Sequence, residues 1–215
     1  MTKAPDRSFR ALILAIAALV VAVALALTFP SWRDQVPYGW SIAANYLLTW
    51  GPLVIAVAIG FAFWRRLLAF RPADIYLGLM IGVIARAAGI IVQYLTTGRM
   101  PSAGVMLGEV TGLYVFTAVI APVILAPLIE EPFFRGLLQG SLAREIRPWP
   151  ALIVTSLVFA FVHTIADGWS ATLIVTMLVY ALLAGYVVQR TKRLGPAIIG
   201  HAVFNGLAAL IAWPW

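Results

Sequence analysis

The chain has no cysteine among its 215 residues. A disulfide framework, thiol catalysis and thiolate metal ligation are thereby excluded. Charge is also scarce. Only 11% of residues are Asp, Glu, Lys or Arg, against about 25% in a soluble domain. Eight residues are acidic and two are histidine, His163 and His201. So little charge does not cover a globule in water. Apolar residues are abundant instead, at 63% of the chain with a mean hydropathy of +0.98. Lipid is the solvent such a chain requires. The formal net charge of +7 does not point to nucleic acid, because no basic stretch is interleaved with exposed aromatics. The basic residues stand between apolar runs, where they orient a chain in a membrane.

A spanning helix needs about 20 mostly apolar residues. Seven stretches meet this requirement: 11–29, 41–64, 75–97, 107–129, 150–166, 171–189 and 196–213. Pro30, Pro37, Pro72, Pro101, Pro148 and Gly195 separate them as breakers. An eighth segment, 132–146, is less apolar and is expected to dip into the membrane or lie along its surface. The expected fold is all-α, a polytopic transmembrane helical bundle of about seven to eight helices, forming one domain over 1–215. The first stretch has a basic start and an Ala24-Leu25-Ala26 sequence, but its apolar run exceeds that of a signal peptide. It reads as an uncleaved signal anchor.

Orientation follows from the loops. One side holds Lys3, Arg7, Arg10, Arg65, Arg66, Arg71, Arg144, Arg147, Arg190, Lys192 and Arg193; the other holds Arg33 and Arg99. The richer side is expected to be cytoplasmic. The N-terminus then lies inside and the C-terminus outside.

A charge at the bilayer centre costs about 2.5–3.5 kcal/mol on insertion scales. Each intramembrane polar group is therefore a candidate for function. In Leu128-Ile-Glu-Glu-Pro-Phe-Phe-Arg-Gly, adjacent carboxylates on a helix point about 100° apart. Glu131 and Arg135 are spaced to pair, which leaves Glu130 as a lone carboxylate suited to general base or acid work. The competing reading is a charge cluster at a helix end. His163 closes Phe159-Ala-Phe-Val-His and would otherwise be a hydrogen-bonded packing residue. His201 and Asn205 share a helical face, with Gly200, Ala202 and Gly206 allowing close packing; the alternative is an interhelical clamp. Measured from the basic ends, His201 and Asn205 lie about 9 and 15 Å in, while His163 and Glu130 lie about 20–25 Å in. A broken or re-entrant helix around Pro122, Pro127 and Pro132 would reconcile these levels. Arg86 stands mid-segment, able to bind a substrate carboxylate or to pair with Glu109 or Asp74.

Three motifs in order, Glu130-Glu131-x-x-x-Arg135, Phe159-x-x-x-His163 and His201-x-x-x-Asn205, resemble the signature of the CPBP family. These are the CAAX prenyl endopeptidases and their bacterial relatives, also called Abi proteins. Gly185-Tyr186 and Gly195-Pro196 add to the likeness, which covers about 122–208; a catalytic core over 108–213 follows. The resemblance implies an intramembrane endopeptidase with a cavity open to the cytoplasm, in the plasma membrane of a bacterial cell. Glu130 would activate water with help from His163, His201 and Asn205 would donate to the oxyanion, and Glu131 and Arg135 would support the helix. The substrate would be a membrane-associated peptide, CAAX-like or a leader, and the lipid bilayer the other partner. No cofactor is expected; the alternative is zinc on His163, His201 and Glu130, although no His-Glu-x-x-His helix is present. Two other functions compete: a non-catalytic binding or immunity protein using the same cavity, and a transporter relaying protons through Glu130 and His163. The absence of inverted repeats disfavours the transporter.

Overall fold

The computed structural model describes residues 7–29, 35, 37–101 and 111–212. Arg33, Glu109 and the expected span limits at 107 and 213 lie outside the described residues. Seven long helices are seen among those described: α1 (Arg7–Thr28), α2 (Tyr38–Ile59), α3 (Ala73–Thr97), α4 (Gly112–Ile146), α5 (Pro148–Asp167), α6 (Ala171–Thr191) and α7 (Gly195–Ala212). The first six are long and apolar enough to cross a membrane, and α7 is a shorter apolar helix. Large apolar side chains such as Met80, Val83, Leu157 and Phe161 are exposed, as lipid-facing residues must be. The expected all-α bundle is present.

The helix ends follow local chemistry. Pro148 is the first residue of α5, where a missing N–H is harmless. It separates α4 from α5, as expected, and does so as the opening residue of α5. The Ser170 hydroxyl accepts the Leu173 N–H at 3.0 Å and so caps α6. Gly98 closes α3 with φ +67°, a conformation that favours glycine. The second span was expected to run unbroken to residue 64, but α2 stops at Ile59. Gly60 follows it, where a Cβ would stand 2.5 Å from Leu137 Cδ1. A short helix Phe61–Trp64 and a 3₁₀ turn Arg65–Leu68 then lead along the basic face.

The largest departure concerns α4. The fourth span and the separate segment 132–146 are one continuous helix. The chain is neither broken nor re-entrant at its prolines. Two stretches, Phe116–Leu125 and Pro132–Leu138, widen to the π form. The Ala126 N–H reaches the Ala121 carbonyl, and the Gln139 N–H reaches the Phe134 carbonyl, five residues back in each case. Widening is how a helix keeps its hydrogen bonds where proline removes a donor. A π turn rises less per residue than an α turn. The His201 imidazole reaches Glu131 at 2.9 Å, so no break in α4 is needed to bring the two motifs together.

Small residues set the packing. Ala11, Ala15, Ala18 and Ala22 form the buried stripe of α1, which lies against α2 and α4. α3 and α7 approach most closely. A Cβ at Gly78 would stand 2.6 Å from the Ile199 side chain, one at Gly82 2.6 Å from Val203, and one at Gly200 2.9 Å from Ile81. This is small-residue packing on both helices. At the basic end, Arg193 holds the fully buried Asp74 through Nε at 2.8 Å and Nη2 at 2.6 Å. The Leu194 N–H donates to the Leu67 carbonyl at 2.8 Å, and Arg144 lies over the Phe63 ring at 4.5 Å. These contacts join the basic loops into a single face.

Arg86 does not pair with Asp74, which is taken by Arg193; the other expected partner, Glu109, lies outside the described residues. The Arg86 guanidinium donates to the Phe204 carbonyl at 2.8 and 3.2 Å and stacks on the Phe204 ring at 4.0 Å, bracing α3 against α7. Gly82→Ala is expected to overpack this crossing at a cost of about 1–3 kcal/mol. Thermal unfolding in detergent should show a lower midpoint for Gly82→Ala, and an unchanged one for Gly112→Ala, where no atom lies within 4 Å of the added methyl.

Candidate active site

Adjacency on α4 sends the two glutamates to different surroundings. Glu131 faces the bundle centre and is fully buried. Its Oε1 accepts the Tyr180 hydroxyl at 2.9 Å and the His201 Nδ1–H at 2.9 Å. Its Oε2 stands 3.3 Å from Arg135 Nε, one helical turn on. The Arg135 guanidinium is enclosed by rings, with Phe159 at 4.7 Å and Tyr180 and Phe134 near 6 Å. Ring faces receive a cation that has few hydrogen-bond partners. Three helices, α4, α6 and α7, thus meet on one carboxylate.

Glu130 turns the other way, into a cavity of about 1200 Å³ that it shares with His163, His201 and Asn205. The Trp50 indole N–H donates to Glu130 Oε1 at 3.1 Å. Oε2 is buried and has no hydrogen-bond partner among the described residues. His163 Nε2 lies 3.7 Å from it. His163 Nδ1 bonds to the Phe159 carbonyl at 2.8 Å; a carbonyl only accepts, so Nδ1 carries a proton and Nε2 is left to the cavity. The motif residue Phe159 stacks beside the His163 ring at 4.3 Å and so fixes its plane from two sides.

His201 follows the same logic. Nδ1 donates to the Glu131 carboxylate, and Nε2 is the nitrogen left for other work. Asn205 is anchored by the widening of α4. In the π register the Pro122 carbonyl would receive the N–H of residue 127, which is proline and has none. The Asn205 amide supplies the missing donor at 2.6 Å. One amide proton is used there and the second remains.

Sequence reading had singled out the motif residues, which the fold divides between a buried hub (Glu131, Arg135) and the cavity (Glu130, His163, Asn205), with His201 touching both. It missed Trp50 and Tyr180. Tyr180 had a signal, a hydroxyl within an apolar helix that must find a partner. Trp50 had none beyond its indole N–H. Gln139 was missed as well; its amide donates to the Gly185 carbonyl at 3.1 Å. At Gly185 a Cβ would meet Leu152 and Gln139 within 2.6 Å, which explains that glycine. Its neighbour Tyr186 instead stacks on Trp149 at the surface.

Among the described residues no three His, Asp or Glu side chains form a group able to hold a metal ion. His163, His201 and Glu130 line one cavity, and each imidazole bonds an oxygen acceptor through Nδ1.

The cavity walls come from Leu19 to Phe29 of α1, Ser41 to Leu53 of α2, Thr117 to Phe134 of α4, Val162 to Ile165 of α5, Met177 of α6, and His201 and Asn205 of α7.

With this geometry in place, comparison adds one match. Residues 112–207 fit the family model described as type II CAAX prenyl endopeptidase Rce1-like, in agreement with the family read from the three motifs. No curated protein and no solved structure matches the chain.

The hub and the cavity predict opposite phenotypes for neighbours. Glu131→Ala leaves the buried Arg135 unpaired and should cost about 3–5 kcal/mol. Tyr180→Phe removes one interhelical hydrogen bond and should cost about 0.6–1.7 kcal/mol. Detergent stability should rank the proteins wild type, Tyr180→Phe, then Glu131→Ala, with Glu130→Gln close to wild type.

Proposed function

We propose that this membrane-spanning bundle, with its Rce1-like segment, is an intramembrane endopeptidase in which Glu130 activates water for direct attack on a peptide bond. One observation carries the reading: a buried, unpartnered carboxylate oxygen lies beside a correctly presented imidazole nitrogen at the bottom of a large cavity. A gap of 3.7 Å between two groups of this kind is the spacing at which a bridging water bonds to both.

In the first step the water oxygen bonds to the peptide carbonyl carbon, and its proton passes to Glu130 Oε2. His163 Nε2 holds and orients the water. The carbonyl oxygen becomes an oxyanion, which accepts hydrogen bonds from His201 Nε2–H and the second Asn205 amide proton. For His201 this requires an imidazolium, since Nδ1–H is already engaged by Glu131, and the buried carboxylate is placed to support that charge. A preorganised donor of this kind lowers the barrier by about 2.7–4 kcal/mol. In the second step the C–N bond breaks and the amine leaves with the proton held by Glu130. With no cysteine and direct hydrolysis available, no covalent intermediate is needed.

Water activation is assigned to Glu130 without metal, a reading supported by the absence of a three-membered His, Asp or Glu cluster among the described residues. The substrate is a membrane-associated peptide, CAAX-like or a leader, whose backbone reaches Glu130 along the apolar walls of α1 and α5.

Glu130→Gln is expected to reduce cleavage of a membrane peptide library by at least about 10²–10⁴-fold, with stability and peptide binding retained. Asn205→Ala should slow turnover by about 10²–10³-fold. If wild-type protein binds peptides but cleaves none, the protein is a binding or immunity protein instead. Wild-type protein stripped with a chelator and verified metal-free should cleave at the full rate; loss of activity restored by zinc would overturn the metal-free assignment.

A further inference from the structure

We infer that Trp50 is a positioning residue for Glu130: its indole N–H, on α2, holds the plane of the carboxylate so that Oε2 is the oxygen offered to water. This rests on the endopeptidase reading above. Residue 50 lies outside the segment 112–207 that fits the family model, so the assignment comes from the geometry of this chain alone.

A glutamate side chain turns about three bonds, and its last torsion is broad. The Glu130 carboxylate therefore has no fixed plane unless a neighbour supplies one. His163 does not. Its Nδ1 bears the ring proton, so Nε2 and Oε2 are two acceptors facing each other across 3.7 Å, beyond hydrogen-bond length. Among the described residues, the Trp50 N–H at 3.1 Å from Oε1 is the one hydrogen bond the carboxylate receives. An indole N–H donates and never accepts. It occupies one oxygen and leaves the other to the cavity.

The tryptophan is held for this task. A buried indole N–H needs an acceptor, and a local one often serves. The Trp64 N–H takes the Val57 carbonyl, seven residues back, at 2.9 Å. The Trp50 N–H instead crosses to a helix 80 residues further along the chain. Its ring is braced by Tyr46, one turn earlier on α2, with centroids 4.8 Å apart. Tyr46 in turn meets Phe116 of α4 edge-on at 5.8 Å. The helix that carries Glu130 thus also sets the position of the donor that orients it. Tyr46 and Trp50 both line the cavity.

Trp50 transfers no proton and acts through Glu130. Loss of its N–H should slow the chemical step and leave peptide binding alone. A hydrogen bond to a charged group corresponds to about 10–100-fold in rate.

The test replaces Trp50 in the full chain by β-(3-benzothienyl)-alanine, which keeps the shape of the indole and puts sulfur in place of the N–H. The substrate is the peptide that wild type cleaves fastest in the membrane library. The kcat should fall by about 10–100-fold, with KM within about twofold and the thermal midpoint unchanged. 5-Fluorotryptophan at the same position keeps the N–H and should restore the rate. A second measurement needs no cleavage. The Trp50 indole N–H resonance, identified by its loss in Trp50→Phe, should move in Glu130→Ala. Full turnover with the benzothienyl side chain, a raised KM at unchanged kcat, an equal loss with 5-fluorotryptophan, or a resonance indifferent to Glu130→Ala would each overturn the inference. Failure of the endopeptidase reading would show separately, as equal turnover by wild type and Glu130→Gln while the resonance still responds to Glu130→Ala, and would take the inference with it.

Discussion

The Glu131 carboxylate organises the structure, because it is a charge that lipid does not solvate and the fold must. Its two oxygens collect a guanidinium from its own helix, a hydroxyl from α6 and an imidazole from α7. None of these donors has a better acceptor nearby, and Glu131 has no access to water. Each apolar helix by itself has little reason to choose one neighbour over another, since lipid tails are as apolar as leucine. The polar hub supplies that choice. It fixes the rotation of α4 as well, and rotation decides where residue 130 points.

The shape of α4 is a second constraint, set by three prolines at intervals of five. Pro122, Pro127 and Pro132 each remove a backbone donor from a helix in hydrocarbon, where every unpaired group is costly. The wide turns accommodate two of the losses within the helix. The third appears as the Pro122 carbonyl, which Asn205 satisfies from α7. The Asn205 side chain is thereby held at the cavity with one amide proton still free. A residue that looks like part of the chemistry is placed there by a defect in the neighbouring backbone.

Much of this was legible before the coordinates. Hydropathy located every long helix except α4 to within about five residues, because spanning length is imposed by the bilayer. The polar motif residues stood out for the same reason, each being an expensive guest in lipid. The course of α4 was not legible. Proline in water marks a stop, and the sequence was read that way; in a membrane the surrounding helices repair it. Asp74 was offered as a partner for Arg86 from the rule that a buried cation needs a carboxylate, whereas a backbone carbonyl and a phenyl ring contact it. Trp50 was hidden among aromatic residues whose role in a membrane helix is usually apolar.

The pairing of adjacent glutamates explains how a bundle with so few charges can support both a rigid core and a reactive carboxylate. Glu131 and Arg135 cancel one another at short range. Glu130 is then left with a charge that no cation opposes. Among the described residues its polar contacts are an indole N–H and the imidazole of His163. Both face the cavity rather than the core. Moving the pair by one residue along α4 would rotate the charged hub into the cavity and the lone carboxylate into the core. The doublet is therefore read by the fold in one direction only, and the roughly 100° between successive residues is what separates stability from chemistry.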